Sequence, residues 1–330
     1  MIGSILLASL LVQQPASGEQ FLEAGRLDRA REAFERALKL DPGQFSALSG
    51  MGFIHYSQGR FTEARTYLEK AVRSRPNSFQ ARFLLGAALV QLNDPKGAIR
   101  ELRVANKLNP AHADARKLLA AEYAGQRQFR EVVALLGPAV DQLPYDEETH
   151  LLLIGARQSA GDSAGSFELA GRAARRFPRS PQVAAWLGFQ LQFSGRYDEA
   201  KDHLRKAIEL DPSYPVPYQI LGDILLKQED YAGAAGWFRK AAERMPEDVE
   251  TLTGLGRALA ETGDVAGGIE VLRNAARIAP DNAQLHLQLS RLYFRTGDEE
   301  NARKEADLSV TLRTPGPNLV EAPAALRSHK

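Results

Sequence analysis

Proline stands at positions 42, 76, 110, 144, 178, 212, 246 and 280, each 34 residues after the one before, and the next follows at 315, one residue late. A residue that cannot donate to the helical ladder, placed on a fixed beat, forbids one long element and requires the chain to rebuild one short unit again and again. A 34-residue ruler laid from Leu11 divides residues 11–316 into nine repeats, and other positions fall into step with it. Slot 8 holds Gly18, Gly52, Gly86, Ala120, Ile154, Gly188, Gly222, Gly256 and Ser290. Slot 20 is Ala30, Ala64, Ala98, Val132, Ser166, Ala200, Ala234, Gly268 and Ala302, and slot 27 is alanine from Ala37 to Ala275, then Ser309. Bulk recurs as faithfully: slot 7 is Met51 or leucine in every repeat after the first, and slot 24 is Phe34, Leu68, Leu102, Leu136, Leu204, Phe238 or Leu272 in seven.

Slots 4, 7, 8 and 11 recur at helical spacing, and so do 20, 24 and 27, which predicts two helices per repeat with one buried face each. A breaker lies between them, as in Gln58-Gly59-Arg60, Ser194-Gly195-Arg196 and Thr262-Gly263-Asp264. Glycine there can take the left-handed conformation that ends a helix, and Asp94-Pro95 supplies an N-cap followed by a first-turn proline.

This arrangement of small-residue, bulky and terminal-proline slots resembles the tetratricopeptide repeat family over residues 11–316. The resemblance implies an all-α fold: an α-solenoid, a right-handed superhelix of about nine helix-turn-helix units, with the first helix of each pair lining a concave surface. Slots 8 and 20 then mark the closest approach of the paired helices, where volume would force them apart. Two departures carry expectations of their own. Repeat 5 puts Ile154 in a small slot but offers Ser166 and Ala170 opposite, as though volume were exchanged across one interface. Repeat 4 carries Gly137-Pro138 inside its second helix, where proline costs about 3 kcal/mol, so a bend is expected near residues 136–140.

Chemistry finds little to build on. The chain has no cysteine, and its six histidines (His55, His112, His150, His203, His286 and His329) are scattered without ligand spacing, so neither a metal site nor a thiol nucleophile is expected. Phosphate-cradling loops and nucleophile elbows are absent; Gly254-Leu255-Gly256 lacks a third glycine and lies in a helix. The reading is a non-enzyme without cofactors. Lys and Arg number 42 against 41 Asp and Glu, which gives no electrostatic ground for nucleic acid or an anionic membrane.

What remains is the groove. On the family's geometry slots 2, 5, 9, 12 and 13 of each first helix face inward. Repeats 2 to 6 place Phe53, Tyr56, Phe83, Lys117, Leu151, Phe189 and Phe193 there, and repeats 7 to 9 place Gln219, Asp223, Lys227, Arg257, Glu261, Arg291 and Arg295. One end is therefore aromatic and the other charged. A row of exposed aromatics marks a contact surface, so Phe53, Tyr56, Phe83, Lys117, Leu151, Phe189, Phe193, Arg257, Arg291 and Arg295 are the candidate partner-binding residues. The partner is a protein, through a peptide or helical segment. Two rivals stand beside it: a self-assembling structural protein, hence a homo-oligomer, and a carbohydrate-binding accessory module. The carboxylate clamp by which some members hold chaperone tails needs asparagine at slots 6 and 9, and neither slot is ever asparagine here.

The ends read differently from the body. Residues 2–12 are mostly apolar and too short to span a bilayer, and Ala16-Ser17-Gly18 supplies a small-x-small site. Residues 1–18 are read as an export signal cleaved before Glu19, which would place the protein outside the cytoplasm. No Lys or Arg precedes the run, and the alternative is an apolar first helix capping the fold of a cytoplasmic protein. Repeat 9, with Ser290, Arg291, Arg295, Lys304 and Ser309, is expected to turn a polar outer face to water, and residues 317–330 to form a flexible tail.

Overall fold

The structure, a computed structural model, describes residues 17–140 and 146–313. The apolar run 2–12, Pro144 and the tail 317–330 lie outside those residues. Among the described residues there is no strand; there are eighteen α-helices and one short 3-10 turn. The chain divides into two compact blocks, residues 1–144 and residues 145–330.

The first block contains α1 (Gly18–Glu23), α2 (Leu27–Leu40), α3 (Phe45–Ser57), α4 (Phe61–Ser74), α5 (Phe79–Gln91), α6 (Pro95–Leu108), α7 (Ala113–Gly125) and α8 (Phe129–Leu136). The second contains α9 (Glu147–Ser159), α10 (Ser163–Arg176), α11 (Pro181–Phe193), α12 (Tyr197–Leu210), α13 (Val216–Lys227), α14 (Tyr231–Ala242), α15 (Val249–Glu261), α16 (Val265–Ile278), α17 (Ala283–Thr296) and α18 (Glu299–Thr311). Within each block a helix packs on its neighbours in sequence, and first helices of successive repeats also touch: α3 on α5, α5 on α7, α11 on α13 and α13 on α15. Each block is therefore a stack of helix pairs, an α-solenoid.

Small slots are small because the facing helix fills them. A methyl group on Gly52 would lie 2.5 Å from Leu68 Cγ, one on Gly86 2.6 Å from Leu102 Cγ, and one on Gly222 2.8 Å from Phe238 Cζ. The slot-24 side chain of the second helix thus presses on the slot-8 glycine of the first. Slot 20 sits near the same place, since a methyl on Gly268 would meet the Gly256 carbonyl oxygen at 2.7 Å. In repeat 5 the exchange of volume is seen directly: Ile154 is fully buried, Ser166 and Ala170 opposite are fully buried too, and Ser166 Oγ donates to the Ile154 carbonyl at 2.9 Å.

The turns are more uniform than their sequences. Slot 15 has positive φ in all nine repeats: Gly25, Gly59, Gly161, Gly195, Gly263 and Gly297, but also Asn93 (φ 55°), Arg127 (φ 56°) and Glu229 (φ 61°). The geometry of the joint, more than the residue, is what repeats. Slot 16 then caps the second helix, and Asp94, Asp162, Asp230, Asp264 and Asp298 each accept from a backbone N–H three residues on, at 2.9–3.1 Å.

Pro138 acts as its chemistry requires. The α-helix does not run through it; α8 stops at Leu136 and Gly137–Ala139 form a 3-10 turn. One other expectation needs correction. In repeat 9, Ser290 and Ser309 are buried in their small slots, whereas Phe294, Leu308 and Val310 are 54%, 38% and 68% exposed. The last pair thus shows apolar surface along with its charges. The expected cleavage point before Glu19 falls inside α1, whose N-cap is Ser17 in a capping box with Gln20.

Candidate functional site

The candidate residues fall into two groups, one per block. In the first block Phe53 on α3 is 40% exposed. Tyr56, one turn later, is half-buried, with its ring edge-on to Phe61 at 5.5 Å. Phe83 on α5 lies parallel to Phe79 at 5.8 Å, and the His112 ring tilts against it at 5.1 Å, so it is largely committed to packing. His112 is itself held by a cap, its Nδ1 accepting from Ala115 N–H at 3.2 Å. Lys117 on α7 is half-buried. Tyr56 and Phe83 both pack against the core built on Leu85 and Leu102.

In the second block Leu151 on α9 is half-buried. Phe189 on α11 is not part of the accessible surface. It is 2% exposed and held edge-to-face between Trp186 at 5.5 Å and Phe193 at 4.9 Å. Phe193, one turn further on, is 51% exposed and carries the accessible aromatic surface of that helix. Lys227 Nζ, 34 positions later, stands 5.0 Å from the Phe193 ring centroid. The same slot pairing recurs two repeats on, where Arg295 reaches Glu261 at 3.4 Å and donates to the Ala260 carbonyl at 2.8 Å. Equivalent positions of successive first helices are thus neighbours, and a continuous face runs from α11 to α17.

Two arginines on that face are uncommitted. Arg257 on α15 and Arg291 on α17 are exposed, and no described residue forms an ion pair or hydrogen bond with either guanidinium. They occupy slot 9 of adjacent repeats. Between Phe193 and this pair lies Asp223 on α13, half-buried and without a donor among the described residues; burial pushes its carboxyl up to about 7. Gln219, one turn earlier, is buried and donates to Glu250 at 3.2 Å.

Slot position placed Asp223, Gln219 and Lys227 on this face, but their environments depend on packing that a slot number does not contain. Phe294, at slot 12 of the last repeat, escaped the reading although Tyr56 holds the same slot in repeat 2. Its exposure means that aromatic surface occurs at both ends of the α11–α17 face. Among the described residues no group of three His, Asp or Glu could hold a metal ion, and no helix is long and apolar enough to cross a membrane.

Stacked helix pairs, glycine contacts at the pair interface and a side-chain-bearing face of first helices define an α-solenoid repeat protein. Two sequence models of the tetratricopeptide repeat match the chain, one at residues 16–78 and 190–249, the other at 55–122 and 259–309. The chain belongs to the tetratricopeptide repeat family. It is 24% identical over 243 residues to cellulose synthase 1 operon protein C of Komagataeibacter xylinus, a match over 66% of this chain and 18% of that one. A CTR9 homolog of Arabidopsis thaliana is 25% identical over 256 residues, covering 64% of this chain and 23% of its own length. Mouse protein O-mannosyl-transferase TMTC1 is 37% identical over 86 residues, 26% of this chain and 9% of that protein. The chain therefore spans less than a quarter of each of these relatives. Among solved structures, the APC/C hetero-tetramer Cut9-Hcn1 superposes with a TM-score of 0.51 at 14% identity, over 89% of this chain and 65% of the other, a likeness of fold.

Proposed function

We propose that the chain is a non-catalytic scaffold that binds a segment of a partner protein along its first-helix faces. The observation that carries this reading is the α11–α17 face, where a half-exposed Phe193 and an exposed Phe294 flank two arginines that make no ion pair among the described residues. Exposed rings beside uncommitted guanidinium groups are the composition of a contact surface, since arginine and aromatic residues supply most of the energy in protein interfaces. Phe193 and Phe294 offer anchors, and Arg257 and Arg291 offer paired donors to carboxylates of the bound segment. The solved Cut9-Hcn1 assembly shows one protein of this fold in a complex, and the same use is proposed for this chain.

The experiment is partner recovery with Phe193→Ala and with Arg257→Glu combined with Arg291→Glu. Each variant changes exposed side chains, so the fold should be kept, as circular dichroism will confirm. Truncation of a central anchor is expected to cost about 2 kcal/mol, or ~30-fold in affinity. Recovery of the same partners at wild-type level from all variants would refute the assignment. Export belongs to the same proposal, resting on the apolar run 2–12 and Ala16-Ser17-Gly18. A native protein whose N-terminus is Met1 would overturn it.

A further inference from the structure

We propose that the last repeat carries a proton-operated tie: one proton shared between His286 and Glu305 holds α18 on α17, and its loss at higher pH loosens that pair. The inference goes beyond partner binding and stands on the geometry of one position compared across repeats.

Slot 4 of several repeats reaches back to the proline that closes the repeat before. Arg82 Nε donates to the Pro76 carbonyl at 2.7 Å, Arg116 Nη2 to the Pro110 carbonyl at 2.6 Å and Tyr218 Oη to the Pro212 carbonyl at 2.9 Å. His286 fills slot 4 of repeat 9, with Nε2 2.9 Å from the Pro280 carbonyl oxygen. A carbonyl oxygen only accepts, so this nitrogen carries a hydrogen, as its three counterparts do. The other ring nitrogen, Nδ1, lies 2.6 Å from Glu305 Oε2. With hydrogen on Nε2, a neutral ring would turn a lone pair towards a carboxylate oxygen at that distance. The contact closes only with a proton in it, on the imidazole or on the carboxyl.

Repeat 3 makes the same tie without that requirement. Its slot-4 residue, Arg82, also donates from Nη1 to Glu101 at slot 23, at 2.5 Å. Arginine keeps its charge throughout the working pH range, whereas imidazole gains or loses a proton between about pH 5 and 8. One pair of slots therefore links α5 to α6 permanently and α17 to α18 conditionally.

The setting makes the proton count. His286 is 5% exposed and Glu305 is half-buried, so water does not readily replace the bond when it is lost. Glu305 apart, every charged side chain on α16, α17 and α18 is exposed, among them Arg273 and Arg277 on α16, Arg291 on α17 and Lys304 on α18. Asp281, in the turn before α17, is exposed too, and none of these groups bonds to the ring. Protonated, the bridge adds a bond between the helices; deprotonated, it sets two acceptors face to face. The pair should be tightest at low pH. Since α17 carries Arg291 and Phe294, loosening it would alter one end of the first-helix face.

The test is amide hydrogen exchange of the full chain and two variants at pH 5.5 and pH 8, with rates corrected for the intrinsic pH dependence of exchange. In the wild type, protection of α18 should fall about tenfold or more between pH 5.5 and pH 8. His286→Arg, which copies Arg82, should keep α18 protected at both. Glu305→Gln, whose amide can donate to Nδ1 of the neutral ring, should lose no protection on going to pH 8. The variants alter opposite ends of the bridge, so if one fails to fold the other still decides. Equal protection of α18 at both pH values in the wild type, or a fall as large in either folded variant, would overturn the tie.

Discussion

Gly188 is where the packing account of the small slots stands at most risk. A methyl group there would lie 2.5 Å from Leu204 Cγ, 2.7 Å from Leu204 Cδ2 and 3.2 Å from the Ala200 carbonyl oxygen. Leu204 is fully buried, so its side chain can yield only by displacing its own neighbours. The Ala200 oxygen is backbone, so relief there requires α11 and α12 to part. Two effects oppose each other in Gly188→Ala. Alanine is the better helix former by about 1 kcal/mol, while forcing a methyl group into a filled interface costs about 1–3 kcal/mol. With contacts this short the second should win, for a net loss of ~1–2 kcal/mol. Urea titration should be read by circular dichroism and by amide exchange within α11 and α12, because a repeat chain need not unfold in one step. Leu204→Ala alone should cost about 2–5 kcal/mol. The double variant should be better than the sum by about 1 kcal/mol or more, because each change makes room for the other. A Gly188→Ala chain more stable than wild type, or strictly additive effects, would refute the reason given for a glycine at slot 8.

Other expectations follow from single features. Gly195→Ala meets no atom within 4 Å but keeps φ at 71°, so backbone strain alone should cost about 1 kcal/mol, while Glu229→Gly at the equivalent slot should gain a similar amount; thermal melts of both decide. Asp223 binds its proton more tightly in the folded chain, with a pKa of about 7 against an ordinary 3.8, so stability is lost as pH climbs from 4 to 7. Asp223→Asn should therefore be the more stable protein above pH 7, with the difference fading towards pH 4 in parallel denaturant titrations. His286 ties α17 to α18 through Glu305 at 2.6 Å and contacts the Pro280 carbonyl at 2.9 Å. His286→Ala should cost about 1–3 kcal/mol by leaving those groups short of a partner, visible as faster exchange in α18.

The architecture was legible because it depends on volume and breakers, which residue identity states directly. Gly52, Gly86 and Gly188 announce close approach, and Asp94-Pro95 announces a helix start. Even the defect at Pro138 could be foreseen, since the ring's lack of a donor is a local property. The surface was less legible. Phe189 and Phe193 are the same residue one turn apart, yet Trp186 closes over the first and leaves the second open. Arg127 and Glu229 carry no glycine signal, although their joints have the same left-handed backbone as the rest. The state of Asp223 depends on how much water α11 and α15 leave around it, a three-dimensional quantity that no single slot encodes.

The pairing of Phe193 with Lys227, and of Glu261 with Arg295, across successive repeats has a mechanical corollary. Along this face each first helix is tied to the next by such a contact, while its second helix packs behind it, so the row of first helices has no keystone and can splay link by link. A guest lying across several rungs would act as a splint, trading its own ordering for the suppressed breathing of every rung it spans. Occupancy would then be registered well beyond the atoms that touch.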